Sequence, residues 1–169
     1  MDEIPVLKFG GLTLQGLRRF GPDEERLLEN CRQQETLNEI YRLLAERRNI
    51  ARAQRLHQIA RQFITPICEQ GITPVVVVSA FDWATDKLSQ LAACISPDPS
   101  PREYARLLMS GELRANAALS ITLEALGFAA RSLTGREAGI VTDTGPVDGV
   151  ICRIHKGHVL ELLERQIVP

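Results

Sequence analysis

The 169-residue chain lacks several features that would each have pointed to a particular class of protein. Its 20 basic and 21 acidic side chains leave a formal net charge of −1, without the basic excess typical of general nucleic-acid binders. No apolar run approaches the ~20 residues that a membrane-spanning helix needs. The start, Met-Asp-Glu-Ile-Pro, has neither the basic nor the apolar stretch of a signal peptide. We therefore expect a cytoplasmic protein with no nucleic-acid and no membrane partner.

Metal-binding and redox spacings are missing as well. The cysteines lie far apart and form no Cys-x-x-Cys pair, which favours reduced apolar side chains over a zinc or redox site: Cys31, Cys68, Cys94 and Cys152. His155 and His158 stand three residues apart, but no acid or cysteine flanks them at ligand spacing. We therefore expect no metal site built from this chain's own side chains.

The chain does have an ordinary globular composition, 44% hydrophobic and 24% charged, and enough length for one domain with a buried core. Short apolar or β-branched runs alternate with helical patterns. They predict strands at residues 4–9, 75–78, 128–133 and 150–154, and helices at residues 85–95, 102–126 and 159–164. The helix at 102–126 is either continuous or divided into two at Ser110-Gly111. This alternation predicts an α/β fold with a mainly parallel sheet covered on both faces.

A long charged stretch without glycine, residues 23–70, carries apolar residues at helical spacing. It predicts two amphipathic helices, or one helix bent near Arg48-Asn49, with an apolar stripe through Leu37, Ile40, Tyr41, Leu44, Leu56, Ile59, Phe63 and Ile67. At the other end, residues 167–168 predict the opening of a strand at an exposed sheet edge. We therefore expect the chain to form part of a larger sheet and to associate with itself or with a complementary half.

The first candidate site follows the first strand, where Lys8 precedes Gly10 and Gly11. A lysine near the end of a strand places its ammonium group at the carboxyl edge, where ligands bind in open α/β sheets. Two glycines let backbone N–H groups approach a phosphate closely. The pattern is not a Walker A loop, since the lysine precedes the glycines. The alternative is a turn that ends the strand beside an unrelated lysine.

Two further segments carry polar groups suited to ligand binding. After the valine strand, Ser79 and Thr85 supply hydroxyl groups for a carboxylate or phosphate, although Thr85 is equally explained as a helix N-cap. Glu112 is expected in the first turn of an alanine-rich helix, where it either complements the helix dipole or binds a cationic group such as a substrate amine. A fourth segment, residues 132–143, has the composition of a loop rich in turn-forming residues.

Taken in order, these four segments resemble the aspartate kinase branch of the amino-acid kinase family. There the first strand reads Lys-Phe-Gly-Gly followed by Thr or Ser, and the second is a valine run followed by Ser-Ala-Met-Gly and Thr-Asp-x-Leu. The third reads Leu-Leu-Ser-Thr-Gly-Glu, and the fourth reads Ser-Leu-Thr-Gly-x-Gln-Ala-Gly-Ile-x-Thr-Asp. The matches fall in the family's order and cover residues 5–14, 75–91 and 102–169.

The resemblance implies a three-layer αβα sandwich and the transfer of the γ-phosphoryl group of ATP, with Mg²⁺, to the β-carboxylate of L-aspartate. This reaction opens the lysine, threonine and methionine pathway. By the same resemblance, the catalytic Lys8 neutralises phosphate charge, and the two glycines after it line the phosphates. Ser79 and Thr85 are implied to contact the aspartate, and Glu112 to hold its α-ammonium group.

The sequence departs from the family pattern at three places. Leu12 stands where the family usually has a hydroxyl residue, Phe-Asp at residues 81–82 replaces Met-Gly, and Met-Ser at residues 109–110 replaces Ser-Thr. Residues 17–70 exceed the usual connection, which predicts an inserted helical segment in an N-terminal catalytic lobe. Nothing in the 169 residues corresponds to the family's Gly-Phe-x-Gly strand end, Gly-Arg-Gly-Gly-Ser-Asp loop, adenine-binding lobe or regulatory domains. This chain alone is therefore expected to be inactive. The alternative is a non-catalytic binding or assembly protein with the same half-fold.

Overall fold

A computed structural model describes residues 4–9, 34–81 and 84–169, with the backbone alone for Phe9 and residues 34–41. The strands are β1 (Val6–Phe9), β2 (Val75–Val78), β3 (Ile140–Thr142) and β4 (Ile151–Ile154). The helices are α1 (Gln34–Ile59), α2 (Thr65–Cys68), α3 (Ala84–Ile95), α4 (Pro101–Ala125) and α5 (Gly157–Glu164), and a π-helical segment (Ala60–Ile64) joins α1 to α2. In this part of the chain, no helix is both long enough and apolar enough to cross a membrane.

Strands β1 and β2 form a parallel pair, and residues 168–169 lie along the other side of β2. β1 and β2 pair in a register that sets Lys8 opposite Val77. On the other side of β2, the Val76 N–H donates to the Pro169 carbonyl at 3.0 Å. Val168 bridges in parallel to Ala130. The backbone order across this region is therefore β1, β2, residues 168–169 and residues 129–131.

The final residues do not lie at an exposed edge, so that prediction is wrong. The Val168 N–H donates to the Ala129 carbonyl, and the Val168 carbonyl accepts from the Arg131 N–H, both at 2.9 Å. Val168 is 4% exposed and belongs to the core cluster. Burial of this apolar side chain between two strands holds the segment inside the sheet, because each buried CH₂ contributes about 0.8 kcal/mol.

The second strand pair is antiparallel and was only half predicted. β3 and β4 form a hairpin in which Ile140 pairs with Ile154, whereas the sequence patterns predicted the strand at 150–154 alone. Gly139 precedes the hairpin with φ +83°, and its carbonyl accepts from the His155 N–H at 2.8 Å. The described strands thus form one parallel and one antiparallel pair, and the mainly parallel three-layer sandwich remains a prediction.

The long helical stretch continues without the bend predicted near Arg48-Asn49. Its irregularity comes later, in the π-helical segment directly before Pro66. Proline lacks a backbone N–H and clashes with the carbonyl four residues earlier, which a wider helical turn relieves. On this stretch, Leu56, Ile59 and Ile64 are buried against α4, so the segment supplies one half of the core. Residues 17–33 of the predicted insertion lie outside the described residues.

Helix α4 supplies the other half of the core and is a single helix of 25 residues. Ala115, Leu119 and Leu123 are buried against α1 and the π-helical segment. Of the two alternatives at Ser110-Gly111, one piece or two, the uninterrupted helix is therefore correct. Gly111 is buried there because a neighbouring loop packs directly against the helix backbone.

Candidate functional site

Lys8 and Ser79 lie at the carboxyl ends of two neighbouring parallel strands. Lys8 is the second-last residue of β1, and Ser79 follows the last residue of β2. Leu7, Val76 and Val78 pack against the core cluster. Because side chains alternate along a strand, Lys8 lies on the opposite face of the pair, where it is exposed.

One packing contact brings the other predicted residues next to this strand end. A Cβ at Gly111 would lie 3.4 Å from the Cβ of Ala80 and 3.7 Å from the Cβ of Ala84, which is ordinary van der Waals distance, so the end of the loop after β2 and the start of α3 pack directly against this turn of α4. Ser79 precedes Ala80, Thr85 follows Ala84, and Glu112 follows Gly111. The three predicted substrate-binding residues are therefore each one residue away from the same contact.

Two local expectations need correction. Glu112 lies in the middle of α4 rather than in its first turn, because α4 begins at Pro101. Interaction with the helix dipole is confined to the terminal turns, so it does not explain this carboxylate. Thr85 is the second residue of α3, which begins at Ala84, so it is not the N-cap. Both side chains belong to exposed residues.

Glu112 lines a cavity of about 400 Å³ beside β2. Its wall is mainly apolar, and Glu112 carries the only charged side chain among the described residues that form it. The cavity lies between α4, the edge of β2 and the turn before β3, and its lining includes Val75–Val78, Met109, Leu113, Asn116, Thr134 and Ile140. A carboxylate in such a wall suits a ligand that carries one ammonium group beside less polar parts.

The turn above this cavity is fixed by a reciprocal pair of hydrogen bonds. The Thr134 N–H donates to Oε2 of Glu137 at 2.7 Å, and the Glu137 N–H donates to Oγ1 of Thr134 at 3.2 Å. Nδ2 of Asn116 donates to the Leu133 carbonyl at 2.8 Å and ties the turn to α4. The Thr-x-x-Glu spacing of the capping box signals this turn in the sequence, but the composition alone suggested only a loop.

We expect this turn to loosen in acid. The Thr134 N–H, and then its hydroxyl, lower the pKa of Glu137 below the ordinary value of 4.5. A group with a depressed folded-state pKa stabilises the fold above its unfolded-state pKa, and that contribution disappears as the pH falls through the folded-state value. The protection factor of the Thr134 amide, which is its exchange rate corrected for the intrinsic pH dependence of amide exchange, should fall in the natural chain between pH 6 and pH 3. The fall should be absent in Glu137→Gln, and equal pH dependence of the protection factor in both proteins would contradict the assignment.

We also expect Gly111→Val to displace Glu112. Leu88 Cδ1 lies only 3.3 Å from an added Cβ, so the larger side chain would overpack the contact at a cost of about 1–3 kcal/mol. Ser110→Val, one residue earlier on an exposed face, is the matched control. Urea unfolding of both variants measures the difference. Equal stability of the two would show that the approach of the loop to α4 is not tight.

Some of the other predicted positions fall in parts of the chain that the structure does not describe. Gly10 and Gly11 lie outside the described residues, as do the departures at Leu12 and Asp82. Across residues 4–9, 34–81 and 84–169, no group of three or more His, Cys, Asp or Glu side chains could hold a metal ion. The predicted site residues within the described part of the chain are therefore Lys8 on β1, Ser79 directly after β2, Thr85 on α3 and Glu112 in the middle of α4.

This arrangement of strand ends and helices is shared with known phosphotransferases. No protein-family model matches the chain. The crystal structure of aspartate kinase from Synechocystis matches it with a TM-score of 0.63 and 28% identity, over 98% of this chain and 21% of that one. Aspartokinases from Helicobacter pylori strain 26695 and Mycolicibacterium smegmatis are 38% and 39% identical over 115 and 121 residues, which is 68% and 71% of this chain.

The resemblance drawn from the four motifs is thereby confirmed. The chain corresponds to part of an aspartokinase, and it spans about 28% of the length of each of these two curated relatives.

Proposed function

We propose that the chain supplies the aspartate-binding part of an aspartate kinase catalytic domain with a three-layer αβα architecture. The reaction transfers the γ-phosphoryl group of ATP to the β-carboxylate of L-aspartate. The observation that supports this proposal is the packing of Gly111 against Ala80 and Ala84, which are the sequence neighbours of Glu112, Ser79 and Thr85, beside the strand that pairs with β1. The similarity to aspartokinases gives that cluster its substrate class. An equilibrium titration with L-aspartate tests the proposal.

Lys8 is the proposed catalytic cation. Phosphoryl transfer needs little covalent participation from the protein, so catalysis rests on positioning and on neutralising phosphate charge. Pairing of β1 with β2 fixes the backbone of Lys8 one residue before the strand end, from which its side chain extends. The backbone of Gly10 and Gly11 is proposed to line the same phosphates. ATP is the proposed donor and brings its own Mg²⁺.

The aspartate is proposed to bind through three side chains. Glu112 accepts hydrogen bonds from the α-ammonium group, for which a carboxylate in a mainly apolar wall is a strong partner. Ser79 and Thr85 donate hydroxyl hydrogen bonds to the carboxylates of the substrate. Lys8 then faces the side-chain carboxylate at which the phosphoryl group arrives. This assignment orients the β-carboxylate toward the donor and the amine away from it.

The proposed cellular role is the first step of lysine, threonine and methionine biosynthesis in the cytoplasm. The groups that bind adenine and complete phosphate binding in this family have no counterpart in the 169 residues. The complete activity is therefore proposed to require such groups in addition to the ones described.

We expect this chain alone to show no aspartate kinase activity. Each missing preorganised group that stabilises the transition state typically costs ~10²-fold or more in rate. A coupled assay for ADP release, run with and without L-aspartate, measures the activity. The Lys8→Ala variant provides the background. Aspartate-dependent ADP release above that background would show that the chain is catalytically complete.

A further inference from the structure

A second cavity lies beside α4, away from the cavity at Glu112. It has a volume of about 250 Å³, and its lining consists of Ala45, Arg48, Asn49, Arg52, Ala84, Lys87 and Arg114. Arg114 follows Glu112 by two residues, and successive helix residues are rotated by about 100°, so the two side chains leave α4 in nearly opposite directions. No described residue lines both cavities. The second cavity is therefore separate from the proposed aspartate site.

The charge around this second cavity is of one sign. Three helices supply four cationic side chains to its lining: Arg48 and Arg52 from α1, Lys87 from α3 and Arg114 from α4. None of the described lining residues is acidic. Composition does not explain such a set, since the chain has 20 basic and 21 acidic side chains. Like charges that meet in one small space repel each other, and an anion between them would remove that repulsion.

An aromatic ring positions one of the four cations. Cζ of Arg52 lies 5.9 Å from the centroid of the Phe81 ring, within the range of a cation–π interaction. Nη1 of Arg52 also donates to Oδ1 of Asn49 at 3.4 Å. Phe81 is buried, and it stands where the aspartate kinase pattern has methionine. This departure from the family pattern, for which the proposed phosphoryl transfer gives no reason, therefore places a ring under a cation of the second cavity.

The size and charge of the second cavity define the class of ligand. Drug-sized ligands occupy pockets of roughly 300–1,000 Å³, so this cavity suits a smaller molecule. Arginine side chains bind phosphate and carboxylate oxygens in pairs. Four positive charges are balanced best by several negative charges in a small volume, which a diphosphate group has and a single carboxylate does not. Arg48 and Arg52 have other interactions as well, so the attraction comes from the charge of the whole cluster.

We propose that the second cavity binds a small molecule that carries a diphosphate group, at a site separate from the proposed catalytic one. The anion lies between α1, α3 and α4 and neutralises the cations that these helices contribute. Such a site goes beyond the aspartate kinase reaction, because none of its lining residues has a role in that reaction.

Inorganic diphosphate without Mg²⁺ is the probe, and isothermal titration of the whole chain at low salt measures its binding. Arg114→Gln should weaken binding roughly tenfold, the factor expected from one lost hydrogen bond to a charged group. Arg106 is exposed on the same helix and lines neither cavity, so Arg106→Gln changes the net charge equally and should leave binding unchanged. The side-chain amide signals of Asn49 should shift on binding. Tighter binding of ADP to the same residues would identify a nucleotide as the source of the diphosphate group.

The proposed catalytic lysine supplies a second control, since Lys8→Ala removes the other proposed phosphate site. Diphosphate should bind this variant and the natural chain with equal affinity, and added salt should weaken both, because it screens the charges. Three results would overturn the proposal: no binding of diphosphate, equal weakening by Arg114→Gln and Arg106→Gln, or loss of binding in Lys8→Ala with none in Arg114→Gln. Absence of L-aspartate binding to a chain that binds diphosphate would instead count against the proposed enzymatic function only.

Discussion

Gly139→Ala is expected to abolish the pairing of β3 with β4. An added Cβ would overlap the carbonyl oxygen of His155 and lie 2.7 Å from its carbonyl carbon, at a backbone φ of +83°. The left-handed conformation costs an alanine about 1–2 kcal/mol. The displaced His155 also loses its hydrogen bond to the Gly139 carbonyl, worth about 1 kcal/mol. These two contributions together give a loss of about 2–3 kcal/mol, and the lost pairing should be seen as rapid amide exchange at His155 and along β4.

Alanine substitutions at two other glycines separate the conformational cost of Gly139→Ala from the cost of its clash with His155. Gly71 also has a left-handed φ of +78°, but a Cβ there meets nothing within 4 Å, so Gly71→Ala should cost only the conformational part. Gly157 has no such φ and open space around it, so Gly157→Ala should be neutral or slightly stabilising. If Gly139→Ala were no more destabilising than Gly71→Ala, the close approach of His155 would be contradicted.

Glu112→Gln should produce the largest change in ligand affinity. The substitution keeps the size of the side chain and removes the charge that is proposed to hold the α-ammonium group of L-aspartate. Hydrogen bonds to charged groups contribute about 1.5–3 kcal/mol, so binding should weaken roughly tenfold to a hundredfold. Isothermal titration of the purified variant with L-aspartate measures this change.

The control for this substitution lies on the same helix. Glu124 is exposed near the end of α4 and does not line the cavity, so Glu124→Gln changes the net charge equally without touching the site. It should bind L-aspartate like the natural chain. Equal weakening by both substitutions would indicate a general charge effect and would remove Glu112 from the proposed site.

Local patterns predicted most elements that have strong periodicity or β-branched runs. The four valines of β2 are an example because β-branched residues favour strands, and the apolar faces of α1 and α4 are examples because they supply buried core residues at helical spacing. Local sequence patterns gave wrong or ambiguous predictions where tertiary contacts determine the structure. Gly111 looks like a possible helix break in the sequence, yet it lies inside one continuous helix and the loop at Ala80 packs against it.

The β3–β4 hairpin and the position of residues 167–168 were not predicted from local patterns for the same reason. β3 has three residues, too few for an alternating pattern, and it pairs with β4 across a turn of eight residues. Val168 finds its place between two strands through hydrogen bonds to residues nearly forty positions earlier. No local pattern contains such a pairing, so the sequence suggested an edge strand.

The candidate site was predicted mainly through the order of its motifs. Lys8 on a first strand, Ser79 after a second and Glu112 on a helix carry little information one by one, as their separate alternatives show. The proposal that they share one site depends on strand pairing and on the packing at Gly111, both of which are properties of the folded chain. The Thr134–Glu137 hydrogen-bond pair was missed, although its spacing is a known helix-start signal.

The most direct test of the central claim is a titration of the isotopically labelled chain with L-aspartate, followed through its backbone amide signals. We expect saturable shifts at Ser79, Thr85 and Glu112, no shift at the remote Gly71, and a titration midpoint that is roughly tenfold to a hundredfold higher in Glu112→Gln. Absence of saturable shifts at these residues in the natural chain, or an unchanged midpoint in the Glu112→Gln variant, would contradict an aspartate site at this strand end.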